Sequence, residues 1–156
     1  MDPQDWTALR PAARPPRLPE SDMPETRPAA ASVLIVEDDE LISSLLKFLL
    51  ERERYTVHLA ADGRAGLDYI QQHAPTSVVL MDVMLPYLDG FELLRALRAN
   101  AAWHGTRVIM LSAKSQGSDI ARALDAGADD YLIKPFKPEE LFARIRRYRP
   151  FEPNPT

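Results

Sequence analysis

Cysteine is absent from this chain, which removes disulfides, thiolate nucleophiles and thiolate metal sites together and suits a reducing compartment. Histidine is scarce: His58, His73 and His104 lie far apart, arguing against a zinc or copper centre. No apolar run approaches the roughly 20 residues that span a membrane, and the N-terminus lacks the basic start and apolar centre of a secretion signal. Strong charge of either sign is missing too, since a net charge of -4 does not favour broad electrostatic capture of nucleic acid. What is left is a soluble chain, expected in the cytoplasm, with no membrane partner and no nucleic-acid partner of its own.

Hydrophobic residues make up 46% of 156 positions, enough for one domain of ordinary size, and a second folded domain would have to be very small. Seven of the fourteen prolines fall in residues 1–31, six of them in "RPAARPPRLPESDMPETRPAAA". So few large apolar groups cannot offset the entropy of ordering, and a disordered tail is expected there; recognition as a polyproline ligand is the less favoured reading. The end "RPFEPNPT" reads as a tail or the start of a linker over residues 150–156. One folded domain is expected between them, over residues 32–149.

Within that span β-rich runs (33–36, 55–60, 77–81, 107–111 and 131–133) alternate with longer segments of helical spacing. Five βα units with nearly continuous apolar strands predict an α/β fold: a doubly wound parallel sheet of five strands in the order 2-1-3-4-5, with five helices in three layers. In the first helix Ile42, Leu46 and Leu49 form the core-facing stripe, and Leu41, Leu45 and Phe48 a second stripe expected to lie exposed as a docking surface.

Sites in such sheets form at the carboxyl ends of the strands. There the sequence places Glu37 and Asp38, Asp82, Ser112, and Lys134 before Pro135. In this strand order the three carboxylates crowd together and repel unless a cation joins them, and Mg²⁺, a hard ion taking oxygen ligands, suits the set. Lys134 and Ser112 would bring an ammonium and a hydroxyl to the other side of Asp82. The surroundings fit a carboxylate nucleophile that receives a phosphoryl group.

The segments "VLIVEDDE", "VVLMDVMLPYLDG", "VIMLSAK" and "GADDYLIKPF" resemble, in order and at ordinary spacing, four motifs of the receiver domain of two-component response regulators, of the chemotaxis-like, flavodoxin-like type. The resemblance covers about residues 32–149. It implies that Asp82 is the phosphoacceptor. Asp38 and Asp82 would bind Mg²⁺ directly, Met84 through its backbone carbonyl, and Glu37 mainly through metal-bound water. Lys134 would contact the phosphoryl group, with a cis bond to Pro135, and Ser112 and Tyr131 would form the switch pair. Pro86, Asp89 and Gly90 fit the loop after Asp82, with Gly90 expected in a left-handed backbone and Asp89 capping the next helix. Met84 and Lys114 would govern the access of water to the phosphorus.

The family further implies a histidine kinase or histidine phosphotransfer protein as donor. A downstream protein target would be reached through the fourth helix, fifth strand and fifth helix. The chain would be a monomer or a phosphorylation-dependent homodimer, although Ile120 stands after Asp119 where a basic residue usually supports that dimer. It would not be an enzyme in the ordinary sense, catalysing only its own phosphorylation and dephosphorylation, and no separate cofactor-binding site is expected. A stand-alone receiver is the first reading, and a receiver fragment of a larger DNA-binding or other effector response regulator the alternative. A haloacid dehalogenase-type phosphatase is disfavoured because Met84 occupies the place of its second Asp. A flavin binder is disfavoured by the acidic turn after the first strand, and an unphosphorylated scaffold by the complete set of acidic and lysine positions. Taken singly, Asp39 and Asp89 read as helix caps and Asp129 and Asp130 as surface or turn groups. Arg144, Arg146, Arg147 and Arg149 read as a solvated helix face, and Tyr131 also fits a strand residue packed at the edge.

Overall fold

A computed structural model describes residues 31–113 and 116–148. Five strands, β1 (Ser32–Val36), β2 (Thr56–Ala60), β3 (Val78–Asp82), β4 (Arg107–Ser112) and β5 (Asp130–Ile133), pair in parallel in the order β2-β1-β3-β4-β5. Five α-helices connect or follow them: α1 (Glu40–Arg52), α2 (Gly63–Gln72), α3 (Gly90–Ala99), α4 (Gly117–Asp125) and α5 (Pro138–Arg147). Strand bounds lie within a residue or two of those expected from sequence. Asp82 and Ser112 prove to be the last ladder residues of their strands, with Asp82 opposite Leu111 and Ser112 opposite Ile133.

Alternation along the central strands feeds two cores, one on each face of the sheet. Leu34, Val36, Val79, Met81, Val108 and Met110 face α2, α3 and α4. Val33, Ile35, Val78, Leu80, Ile109 and Leu111 face α1 and α5. β3 is buried along its whole length, so Asp82 is carried on the most protected strand of the sheet.

Short polar caps set where three helices begin. Asp39 accepts from the amides of Leu41 and Ile42, Asp62 from Ala65, and Asp89 from Glu92, each satisfying a first-turn N–H that has no partner within the helix. α5 opens on Pro138, whose missing N–H costs nothing at that position. Between α3 and β4 a 3₁₀ turn over Ala101–Trp103, capped by Asn100, buries Trp103 completely. Sequence periodicity gave no sign of a three-residue element.

On α1, Leu46 and Leu50 are buried, with Ile42 and Leu49 packed against the same core. The second stripe is open to solvent, with Leu41, Leu45 and Phe48 exposed by 83%, 51% and 57%. Among the described residues no helix is long and apolar enough to cross a membrane. The expected tails over residues 1–31 and 150–156 lie outside the described residues except for Ala31, and so do Lys114 and Arg149.

Candidate metal and phosphoryl site

β1 and β3 are neighbours in the sheet, so the residues that follow them share one edge. Glu37, Asp38 and Asp82 meet there, each offering a carboxylate oxygen within 4.8 Å of the others. Glu37 and Asp82 are buried and Asp38 is exposed. Each oxygen of the two buried groups has a partner. Glu37 Oε1 accepts from the Asp39 amide at 3.2 Å, and Asp82 Oδ1 from the Met84 amide at 2.9 Å. The other two, Glu37 Oε2 and Asp82 Oδ2, both accept from Lys134 Nζ at 2.7 Å.

Lys134 therefore does more than the sequence suggested. Instead of standing only on the far side of Asp82, its ammonium bridges Asp82 and Glu37, because two buried carboxylates at close range need a shared cation. Burial pushes the Glu37 carboxyl above its usual range and the charge of Asp82 adds to this, while the hydrogen bond from Lys134 offsets part of it. Burial alone would lower the pKa of Lys134, but its hydrogen bonds to Asp82 and Glu37 outweigh that and hold it above the ordinary value. Among the described residues the cluster of three carboxylates is paired with one ammonium, that of Lys134.

The loop after Asp82 is shaped by Gly90, for a different reason from the one expected. Gly90 is not left-handed; a Cβ there would overlap the Asp82 carbonyl oxygen and lie 2.8 Å from Val83 Cα. The left-handed residue of the loop is Tyr87, at φ 69°, and the Arg64 guanidinium lies 4.8 Å from its ring centroid. The bond between Lys134 and Pro135 is cis, as the resemblance implied. Ser112 is fully buried, its carbonyl accepting from the Lys134 amide at 2.8 Å, and Tyr131 is buried in the core shared with α3 and α4. Met84, two residues past Asp82, is 61% exposed.

The donor set is composed of hard oxygens. Opposite ligands of an octahedral Mg²⁺ site stand roughly 4.2 Å apart, so carboxylate oxygens gathered within 4.8 Å need little adjustment to hold that ion. Asp39 and Asp89 are caps, as read from sequence. Asp129 and Asp130, read as surface or turn groups, stand in the bend before β5 and at its first residue, half-buried and joined to arginines. Asp129 joins Arg98, Arg107 and the Val108 amide, and Asp130 joins Arg144, Arg147 and the Tyr131 amide. Arg144 and Arg147 are correspondingly paired rather than merely solvated. The adjacent aspartates at the start of β5 gave no local signal of this, because their arginines lie 14 to 31 residues away.

Residues 33–146 match the family described as the response regulator receiver domain. Among curated proteins the chain is 42% identical over 115 residues to the response regulator ArlR of Staphylococcus epidermidis, covering 74% of this chain and 51% of that protein. It is 39% identical over 114 residues to the DNA-binding response regulator MtrA of Mycobacterium tuberculosis, covering 73% and 48%. The chain thus spans about half the length of these curated relatives. Among solved structures it resembles the chemotaxis response regulator CheY4 of Vibrio cholerae, with a TM-score of 0.72 and 32% identity over 76% of this chain and 98% of that one. It also resembles the receiver domain of a sensor histidine kinase from Pseudomonas aeruginosa, solved with a magnesium ion coordinated in the active-site cleft. There the TM-score is 0.70 and the identity 33%, over 77% and 98% of the two chains.

Proposed function

Because this chain belongs to the response regulator receiver domain family, we propose that Asp82 accepts a phosphoryl group in the cytoplasm from a histidine kinase or histidine phosphotransfer protein, with Mg²⁺ bound beside it. The observation that carries this reading is the meeting of Glu37, Asp38, Asp82 and Lys134 at the carboxyl ends of β1, β3 and β5.

Asp38 and Asp82 would hold the ion through their carboxylates, Met84 through its backbone carbonyl, and Glu37 through a water. Mg²⁺ in that place neutralises charge on the phosphoryl oxygens during transfer. The remaining work belongs to the chain. A carboxylate oxygen of Asp82 attacks phosphorus, and the bond to the donor nitrogen breaks with its electron pair left on the imidazole. The Met84 amide and Lys134 already grip one oxygen each and orient the group. Lys134, 2.7 Å from Asp82 Oδ2, needs only a small shift to reach a phosphoryl oxygen. Ser112 ends β4 beside Asp82 and serves as the hydroxyl of the switch, with Tyr131 as its aromatic partner. Their rearrangement alters the face of α4, β5 and α5, and a downstream protein reads it. The exposed stripe Leu41, Leu45 and Phe48 docks the helices of the donor. The product is a signalling state rather than a released metabolite, so the protein is regulatory and not an enzyme in the ordinary sense.

Incubation with Mg²⁺ and an acyl phosphate should add one phosphoryl group, labile to hydroxylamine, and Asp82→Asn should abolish it. An equal mass gain in that variant, or labelling indifferent to chelator, overturns the assignment. A second reading is favoured by the greater length of the curated relatives, MtrA being named as DNA-binding: this receiver would act within a longer effector protein. The natural reading frame around the codons for residues 1–156 decides between that arrangement and a stand-alone receiver.

A further inference from the structure

A cavity of about 450 Å³ opens beside the loop that follows Asp82. Asp38 and Met84 line it on the side of the carboxylate cluster, Phe91 lines it from α3, and Arg122 of α4 is the one cation among its described lining residues. The Arg122 guanidinium stands 4.0 Å from the centroid of the Phe91 ring. Arg98, Arg107, Arg144, Arg146 and Arg147 are each matched to a carboxylate, whereas among the described residues no ion pair engages Arg52, Arg54, Arg64, Arg95 or Arg122, and of these five Arg122 is the one that lines the cavity. Asp89, which also lines the cavity, is committed to capping α3 through the Glu92 amide. Asp38 belongs to the metal-binding set. The cavity therefore offers one planar donor fork, lying over Phe91 and without an ion-pair partner among the described residues, to whatever enters beside Asp38 and Met84.

We infer that Arg122 determines specificity among small phosphodonors: it holds the departing carboxylate of an acyl phosphate whose acyl end occupies this cavity. The inference rests on Asp82 being the phosphoacceptor. In the reaction an Asp82 oxygen forms a bond to phosphorus while the bond from phosphorus to the acyl oxygen breaks. The electron pair stays on that oxygen, and a free carboxylate leaves. The charge of -3 carried by the aspartate and the acyl phosphate dianion together is conserved in the aspartyl phosphate and the released carboxylate, and no proton moves. Negative charge grows on the acyl oxygen as the transition state is reached. A guanidinium matching a carboxylate with two parallel N–H groups gains most at that point, and such an interaction raises the rate rather than only the binding. Phosphoramidate, which has the same phosphoryl group, leaves as ammonia and presents no carboxylate to the fork.

The test compares the two donors on the full chain with saturating Mg²⁺, following the phosphorylated fraction by intact mass. Arg122→Gln should lower the second-order rate with acetyl phosphate by about tenfold and alter the rate with phosphoramidate by less than about twofold. Arg122→Lys should restore part of the loss, since it returns the charge without the fork. Equal loss with both donors, or no loss with either, overturns the role of Arg122. Asp82→Asn labelled as fast as the parent overturns instead the phosphoacceptor reading, and this inference falls with it.

Discussion

Two pairs of adjacent acids sit at opposite ends of the sheet, and they are treated in opposite ways. Glu37 and Asp38 follow β1 at its carboxyl end and meet Asp82 there, and among the described residues the one cation paired with this cluster is Lys134, which bonds Glu37 and Asp82. Asp129 and Asp130 stand at the amino end of β5 and face Arg98, Arg107, Arg144 and Arg147. At that end the donors are oversupplied. Arg98 bonds Asp129 at 2.9 Å while its other nitrogens reach the carbonyls of Gly127 and Thr106 at 2.9 and 2.8 Å, and Tyr148 reaches the carbonyl of Asp129 at 3.0 Å. Both carboxylates there are matched within the fold by four arginines. The carboxyl end is the reverse, with acid in excess among the described residues and burial raising its cost, an arrangement that suits a divalent cation. Which sign is left in excess, more than the presence of charge, separates the two clusters.

Removing the lone cation should produce the largest effect. Lys134→Met is expected to slow labelling of Asp82 by about 10² to 10³-fold, the range found when a preorganised charge is lost from a transition state. Its stability cost should depend on pH with a defined sign. In the parent, the raised pKa of Lys134 means its contribution is complete at neutral pH and is lost only as pH climbs through the folded value. In the variant, Glu37 loses the hydrogen bond that holds its pKa down, so its already raised value rises further and it takes up a proton more readily. The stability gap between parent and variant, measured by chemical denaturation in chelator, should narrow as pH falls from 7 toward 5. A gap that widens over that range would show that Glu37 is not the group relieved by protonation.

Breaking the arginine-rich end should do the opposite, costing stability and sparing chemistry. Asp129→Ala leaves the Arg98 guanidinium, itself mostly covered, and the Val108 amide without their acceptor. Losing one partner of such a network costs about 3 kcal/mol, or roughly 10 °C in midpoint for a domain of this size. Labelling of the folded protein by acyl phosphate should stay within about twofold of the parent. A variant as stable as the parent but slow to label would reverse the contrast between the two ends.

Much of this was legible in the sequence. The alternation of apolar runs determined the sheet and its order, because strands buried on both faces, such as Val78–Asp82, tolerate few polar residues and stand out. The candidate site was legible because its members sit directly after strands, where topology alone brings them together. What stayed hidden depends on distance. Gly90 was read as a backbone conformation when its reason is steric, the approach of α3 to the Asp82 carbonyl. Asp129 and Asp130 looked like surface groups because nothing nearby in the chain announces Arg98 or Arg144. Arg122 carried no signal, since its meaning comes from Phe91 and Met84 on elements reached only through the fold.

A smaller effect should follow at the exposed stripe of α1, which adjoins the acid-rich end without taking part in its charge. Leu45→Glu is expected to slow transfer from the cognate kinase by roughly thirtyfold, the scale of a well-packed interface residue, and to leave acyl-phosphate labelling unchanged. Equal loss of both would assign Leu45 to the core instead, against its exposure.

The smallest effect concerns how long the acid-rich end keeps its phosphoryl group. Met84 is largely exposed, its amide donates to Asp82 Oδ1, and it lines the cavity that opens beside Asp38. A thioether is a weak acceptor and no donor, so it cannot orient an attacking water, while its flexible apolar arm can lie across the phosphorus and keep water off. The phosphorylated protein should therefore decay slowly, on a scale of minutes or longer. Met84→Asn places an amide donor and acceptor at the same point and should speed hydrolysis by about fivefold, a barrier change of roughly 1 kcal/mol. The check is the decay of the intact-mass signal after the donor is removed with Mg²⁺ kept constant. Met84→Leu, which keeps the apolar cover but no acceptor, should decay like the parent. If Leu speeds decay as much as Asn, sulfur packing rather than water orientation sets the lifetime; if neither changes it, control of water access lies elsewhere around Asp82.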